Sequence, residues 1–132
     1  MRGIASLTAG AIRRGSRMST LLMFVVLTAA AAGLAAGLAL LTRPDQVVAR
    51  LAPAYPRDRL WIVRLLGARL VGQHAAVLSA PRREVLLGAA GVDLLHAATM
   101  VPLLGSPRYG GAARVSGALA AGYGIGALAA SR

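Results

Sequence analysis

Four residues in this chain have types and spacings that could carry chemistry: Arg69, Gln73, Asp93 and His96. Arg69 precedes Gln73 by four positions and Asp93 precedes His96 by three, so each pair falls on one face of a helix. Arg69, Gly72, Gln73 and Ala76 share one such face; Ala89, Ala90, Asp93, His96, Ala97 and Met100 share the other. A turn near positions 82–83 sets Arg69 level with His96, and Gln73 level with Val92 and Asp93. A guanidinium at 69 then reaches a carboxylate at 93, one helical turn along the partner. Both segments are apolar, and an isolated charge inside a bilayer is expensive, so an Arg69–Asp93 ion pair is expected. Such a cluster either locks two helices together or builds a site for a ligand, a quinone headgroup or a proton. In the second case His96 is the titrating group, since imidazole titrates near neutrality.

The elements that must position these residues are membrane-like. Hydrophobic residues make up 57% of the 132 positions, charged residues 14%, and mean hydropathy is +0.65. A soluble domain carries roughly 25% charged residues, so this chain is too poor in charge to cover a globular surface. Leu21–Leu41 holds no charge and one hydroxyl; at the helical rise it spans about 31 Å, enough for a hydrocarbon core of about 30 Å. It is too long for the apolar region of a secretory signal. Three further apolar segments follow, Leu60–Ala80, Val85–Gly105 and Val115–Ala130. The second holds Arg64, Arg69, Gln73 and His74, and is a believable span mainly because Asp93 offers Arg69 a partner at matching depth. The fourth is short and must borrow residues from Ala112 onward or thin the bilayer locally. The expected fold is all-α: a polytopic membrane protein with four transmembrane helices in an up-down bundle.

One membrane domain, residues 21–130, thus follows a basic lead over residues 1–20. Between the first two spans, residues 42–59 form a polar loop broken by Pro44, Pro53 and Pro56. Within it Val47, Val48 and Leu51 share a face, which suits either a short interfacial helix or a plain loop.

All 15 basic residues are Arg and four residues are acidic, giving a net charge of +11. The arginines cluster between apolar segments, and the few aromatics form no stacking platform. They suit contact with anionic lipid, not nucleic acid. The Arg13, Arg14 and Arg17 group beside the strongest span, with Asp45 and Asp58 on the opposite side, favours a multi-pass protein of a bacterial plasma membrane with its N-terminus cytoplasmic. The arginine-only, Ala-, Gly- and Leu-rich composition resembles high-GC bacterial coding.

Cysteine is absent, which removes disulfides, thiolate metal sites and cysteine nucleophiles. His74 and His96 make a poor metal site without more carboxylates, so neither metal nor cofactor is expected. Gly124-x-Gly126-x-x-Ala129 imitates a dinucleotide fingerprint but lacks the preceding strand and the downstream acid. Gly33-x-x-x-Gly37 and Gly122-x-x-x-Gly126 read instead as close-packing helix faces, for internal packing or for association with another membrane protein or a second copy.

Arg64-Leu-Leu-Gly-Ala-Arg69-x-x-x-Gln73 followed by Asp93-x-x-His96 resembles a pattern in small uncharacterised membrane proteins of actinobacteria, distantly similar to the DoxX-like group, over roughly residues 42–130. The resemblance implies a four-helix integral membrane protein and brings no catalytic residue. The expected function is that of a non-enzymatic accessory or scaffolding subunit. The alternative is a small transporter, or a quinone- or proton-linked factor, using Arg69, Asp93 and His96.

Overall fold

The computed structural model describes the chain from Arg2 onward, with side chains from Ser19. The lead arginines on which the orientation argument rests, Arg13, Arg14 and Arg17, lie outside the described side chains. Among the described residues all regular structure is helical: α1 (Arg2–Thr42), α2 (Pro44–Leu51), α3 (Leu60–Ser79), α4 (Arg83–Met100) and α5 (Gly110–Ala130), with short 3-10 turns at Arg57–Arg59 and Val101–Leu103.

Proline sets most of the boundaries. Its ring disfavours helical backbone in the residue before it. Arg43, Ala52 and Ala80 precede Pro44, Pro53 and Pro81, and their φ values are −135°, −149° and −146°. Thus α1, α2 and α3 each end at such a residue. Pro102 tightens the end of α4 into the 3-10 turn, so the regular helix stops at Met100 and not at Gly105. At its start α5 departs from the expected boundary: it begins at Gly110, not Val115, and gains a full first turn. With 21 residues it is about 31 Å long. The basic lead also joins its neighbour, since α1 runs unbroken from Arg2.

The long helices pair off. Gly37 lies against Gly67 and Gly33 against His74, so α1 and α3 run antiparallel in close contact. Gly117 lies against Met100 and Gly124 against Leu94, so α4 and α5 do the same. Between the two pairs the packing is thinner: α1 touches α5, and α3 and α4, though consecutive in sequence, meet only lightly.

Two apolar clusters sit at opposite ends. Near the α3–α4 turn, Val26, Ala30, Val77, Leu86, Ala89, Ala90 and Ala127 are buried together. Toward the α4–α5 loop, Val48 and Ala52 join Tyr55 and Val63, with Leu40, Leu60, Tyr109 and Ala112 around them. Helix α2 therefore folds back over the ends of the long helices as a cap. An edge-to-face contact between Tyr55 and Tyr109 (5.6 Å between centroids) and a 2.9 Å bond from Arg57 Nη1 to the Asp45 carbonyl hold it there. Burial pushes the Tyr55 hydroxyl above its ordinary pKa of 10.0; Tyr109 and Asp58 add to this and Arg59 opposes it.

The distribution of side-chain size is inverted relative to a soluble bundle. Alanine fills much of the interior, whereas Leu21, Phe24, Trp61, Leu65, Leu95, Val101 and Ile125 face outward, each more than half exposed. Two stretches, Ser19–Thr42 and Arg83–Leu103, are long and apolar enough to cross a membrane, and only 22% of the residues in each apolar window are buried. Hydroxyls along the helices bond back to their own backbone: Thr28 to the Phe24 carbonyl (2.9 Å), Ser79 to that of Ala75 (2.6 Å). Each thereby satisfies its polar group without a partner from solvent.

Candidate functional site

The polar centre of the molecule lies where the two helix pairs face each other. Asp93, on α4, is 1% exposed. Its Oδ1 accepts a hydrogen bond from Arg69 Nη2 at 2.7 Å, and its Oδ2 accepts one from Gln73 Nε2 at 2.6 Å. Arg69 Nη2 also donates to Gln73 Oε1 at 3.2 Å. The three side chains therefore close a ring: the glutamine accepts from the cation and donates to the anion. A charge-assisted bond at this distance is among the stronger hydrogen bonds available to side chains. It is also the arrangement that makes a buried carboxylate tolerable, since each oxygen has a partner and the charge is neutralised locally.

Local sequence explains how both partners arrive. Arg69 and Gln73 project from α3 one turn apart, so a single carboxylate can bridge them. On α4, Ala89 and Ala90 are buried beside Asp93, and their small side chains leave room for two longer ones from α3. Arg69 keeps its side chain 24% exposed while Asp93 keeps 2%. The guanidinium thus lies at the edge of the buried layer and the carboxylate within it.

The rest of the face drawn for α3 does not turn inward. Gly72 and Ala76 are exposed. The buried positions are Val63, Gly67, His74 and Val77, a seam with near-heptad spacing that faces α1. Arg69 and Gln73 flank that seam on the side toward α4.

His96 is brought close to Arg69 in depth but not into the ring. Its Nε2 lies 2.6 Å from the Ser116 hydroxyl of α5, so it ties α4 to α5 instead. Ser116 is a partner that sequence reasoning misses; its signal is an aliphatic hydroxyl within an uncharged segment, level with a histidine on the preceding helix.

His74 is the larger omission. It is 3% exposed, its ring meets Tyr123 edge-to-face at 4.9 Å, and its Nε2 is buried without a hydrogen-bond partner. The ring fills the space that a side chain at Gly33 would need: a Cβ there would collide with it. Gly37 makes the second close approach, where a Cβ would stand 2.9 Å from the Gly67 carbonyl oxygen and from the Val71 nitrogen. Gly33 and Gly37 therefore mark the α1–α3 crossing, with Gly67 as a reciprocal glycine that no spacing pattern singles out.

Of the two roles expected of the glycine pair on α5, internal close packing is not seen. A Cβ at Gly122 or Gly126 would have nothing within 4 Å, whereas one at Gly124 would stand 2.9 Å from Leu94 Cγ and one at Gly117 would stand 3.1 Å from Met100 Cβ. The glycines of α5 that pack closely on α4 are thus Gly117 and Gly124, seven residues apart; Gly110, seven residues earlier, sits where a Cβ would stand 2.7 Å from the Leu104 carbonyl oxygen. Gly122 and Gly126 point elsewhere, to a cavity between α1 and α5.

No family model, curated protein or solved structure matches this chain. The likeness to DoxX-like membrane proteins therefore rests on the quoted residues alone.

Proposed function

We propose that this chain is a non-enzymatic integral membrane protein of four transmembrane helices in up-down order, α1, α3, α4 and α5, that serves as an accessory or scaffolding subunit. The inverted side-chain distribution supports the membrane reading. Large apolar residues on the outside and alanine and glycine within are what helix packing in lipid favours, and in water so much exposed apolar surface would drive association. Two of the four helices are apolar enough to cross by composition. The 20 residues of α3 and the 21 of α5 match them in length, and α3 neutralises its deepest charge on α4.

The observation that carries the non-enzymatic reading is the saturation of Asp93. It is buried, paired with Arg69 and bonded to Gln73. The other acids, Asp45, Asp58 and Glu84, are exposed at or beyond helix ends. General acid–base chemistry needs a group free to exchange its proton with a substrate, and a carboxylate held on both oxygens is better suited to locking helices. Apolar outer faces on every long helix supply surface for a neighbouring membrane protein.

A small transporter or a quinone- or proton-linked factor is the second reading. It is favoured by the cavity, which has Gln73 and Asp93 in its wall.

The test uses the absence of native cysteine. Single cysteines at Ala54, Pro107, Pro81 and Arg132 are labelled in intact cells with a membrane-impermeant maleimide. Four spans require 54 and 107 to label together and 81 and 132 to behave oppositely; any other grouping overturns the topology. Extraction in mild detergent then decides the subunit reading. Co-purification of a stable larger assembly supports it, and a lone chain or homo-oligomer that moves a solute or electrons in liposomes overturns it in favour of the second reading.

A further inference from the structure

A cavity of about 110 Å³ lies at the centre of the four long helices. Its walls are small or aliphatic residues, among them Ala30, Ala89 and Ala127, except along one arc. There Gln73, His74, Asp93 and Tyr123 come together. The rim toward α1 and α5 is formed by Val25, 53% exposed, and by Gly122, also exposed. Because Gly122 and Gly126 carry no side chain, and a Cβ at either would meet nothing within 4 Å, the opening between α1 and α5 is left clear. In a four-span protein that opening faces the lipid.

One polar group in the wall is unused: the Tyr123 hydroxyl has no hydrogen bond among the described residues, although the ring itself is held by His74. His74 Nε2 is also buried without a partner, but it faces Gly33 on α1 and not the cavity. An enclosed apolar cavity of roughly 150 Å³ takes a whole benzene; this one is smaller but open at its rim, so a single ring seats with part of its face left in the opening. Pockets lined mainly by apolar residues with a few convergent polar groups are the usual form of a small-molecule site.

We propose that this cavity is a binding site for a small lipid-soluble molecule of one six-membered ring bearing a hydroxyl, entering from the bilayer between α1 and α5. The ring occupies the space left by Gly122 and Gly126, and the hydroxyl bonds with Tyr123 at the polar arc. Asp93 stays within the Arg69 and Gln73 bonds while the ligand is present, so the helix lock and the site coexist. The proposal rests on the membrane reading above for the route of entry, but not on the subunit reading.

The full chain, purified in detergent, is titrated with p-cresol and with toluene, and ligand-observed NMR reports binding. p-Cresol is expected to bind about tenfold more tightly than toluene, the effect of one hydrogen bond made in a dry site. Tyr123→Phe should bring the two ligands to equal affinity. Gly126→Leu should abolish binding of both, with Gly122→Leu at the rim as a second block. Far-UV circular dichroism and a thermal melt confirm that each variant folds, as the open space at both glycines favours. Equal affinity of the two ligands in the native protein, a p-cresol preference that survives Tyr123→Phe, or binding that survives both leucine substitutions in folded protein would each overturn the proposal. Because binding is read in detergent, its failure is separate from any failure of the cysteine-labelling topology.

Discussion

Arg69 Nη2 donates to Asp93 Oδ1 at 2.7 Å across the seam where α3 and α4 themselves barely touch. The ion pair therefore does what apolar packing does elsewhere in the bundle. Glycine and alanine bring α1 against α3 and α4 against α5, but the link from α3 to α4 is made by side chains reaching across a gap. Gln73 completes it by bonding both partners.

Asp93→Asn is expected to lower stability by about 2–4 kcal/mol, because it strands the arginine beside a neutral amide in a largely dry layer. Arg69→Gln added to Asp93→Asn should recover much of that loss, since no charge is then left without a partner. Thermal unfolding in detergent and accumulation in membranes both report this. A double variant no better than the single would show that the two residues do not act as a pair.

Substitutions at glycine should separate by position. Gly67→Ala puts a Cβ 2.8 Å from the Gly37 carbonyl oxygen, and the obstruction is backbone that cannot swing aside. A loss of about 1–3 kcal/mol is expected from such overpacking. Gly122→Ala meets nothing within 4 Å and should be neutral or raise stability by up to about 1 kcal/mol through helix propensity. Melting temperatures of the two variants side by side check the contrast; equal losses would contradict the assignment of the α1–α3 crossing.

Ser116→Ala removes the hydroxyl 2.6 Å from His96 Nε2 and leaves a half-buried imidazole nitrogen unmatched. A loss of about 1–2 kcal/mol is expected. Its coupling to Asp93→Asn should be small, because the two side chains make no hydrogen bond to each other and share no hydrogen-bond partner. A double-mutant cycle measures this, and a coupling above about 1 kcal/mol would show that His96 and the Arg69 ring act as one network.

The cap formed by α2 should open under alkaline conditions. The Tyr55 hydroxyl is raised above 10.0 chiefly by burial, so the folded state favours the neutral phenol more than the unfolded state does. Its stabilising contribution is complete below pH 10 and is lost as pH rises through the higher folded value. With no lysine in the chain, no ammonium side chain titrates alongside Tyr55 in that range. Accessibility of the 52–59 segment to protease should increase above pH 10 in the native protein, and less so in Tyr55→Phe. Identical pH profiles for the two proteins would count against the buried phenol as the cause.

The polar ring is legible in the sequence for a simple reason. Charges in apolar segments are few, they must find partners, and a short turn at Pro81–Arg82 restricts which residues can share a depth. Helix ends at Arg43, Ala52 and Ala80 are legible through the prolines that follow them. The seam facing α1 is harder to read. Its members, Val63, Gly67, His74 and Val77, are individually ordinary, and α3 has small or aliphatic residues all round, so periodicity does not distinguish the side that meets α1. His74 enters the sequence reading only as half of a poor metal site, whereas its burial follows from a glycine forty-one residues earlier on another helix. On α5 glycines recur so often that the four-residue spacing of Gly122 and Gly126 is misleading. Which glycines approach a neighbour is decided by the rotation of α5 against Leu94 and Met100, a tertiary property.

The uneven packing of the four long helices gives the chain a natural dividing line. Each half, α1 with α3 and α4 with α5, is a hairpin with its own interlocking glycines, and Ala80–Arg82 is a hinge pin more than a shared wall. A polypeptide cut at Pro81 would divide into two hairpins that share both apolar clusters and bear complementary charges at the same depth. Two separately made fragments would then have a built-in means of recognising each other: a guanidinium on one and a carboxylate on the other, each costly to bury until they meet.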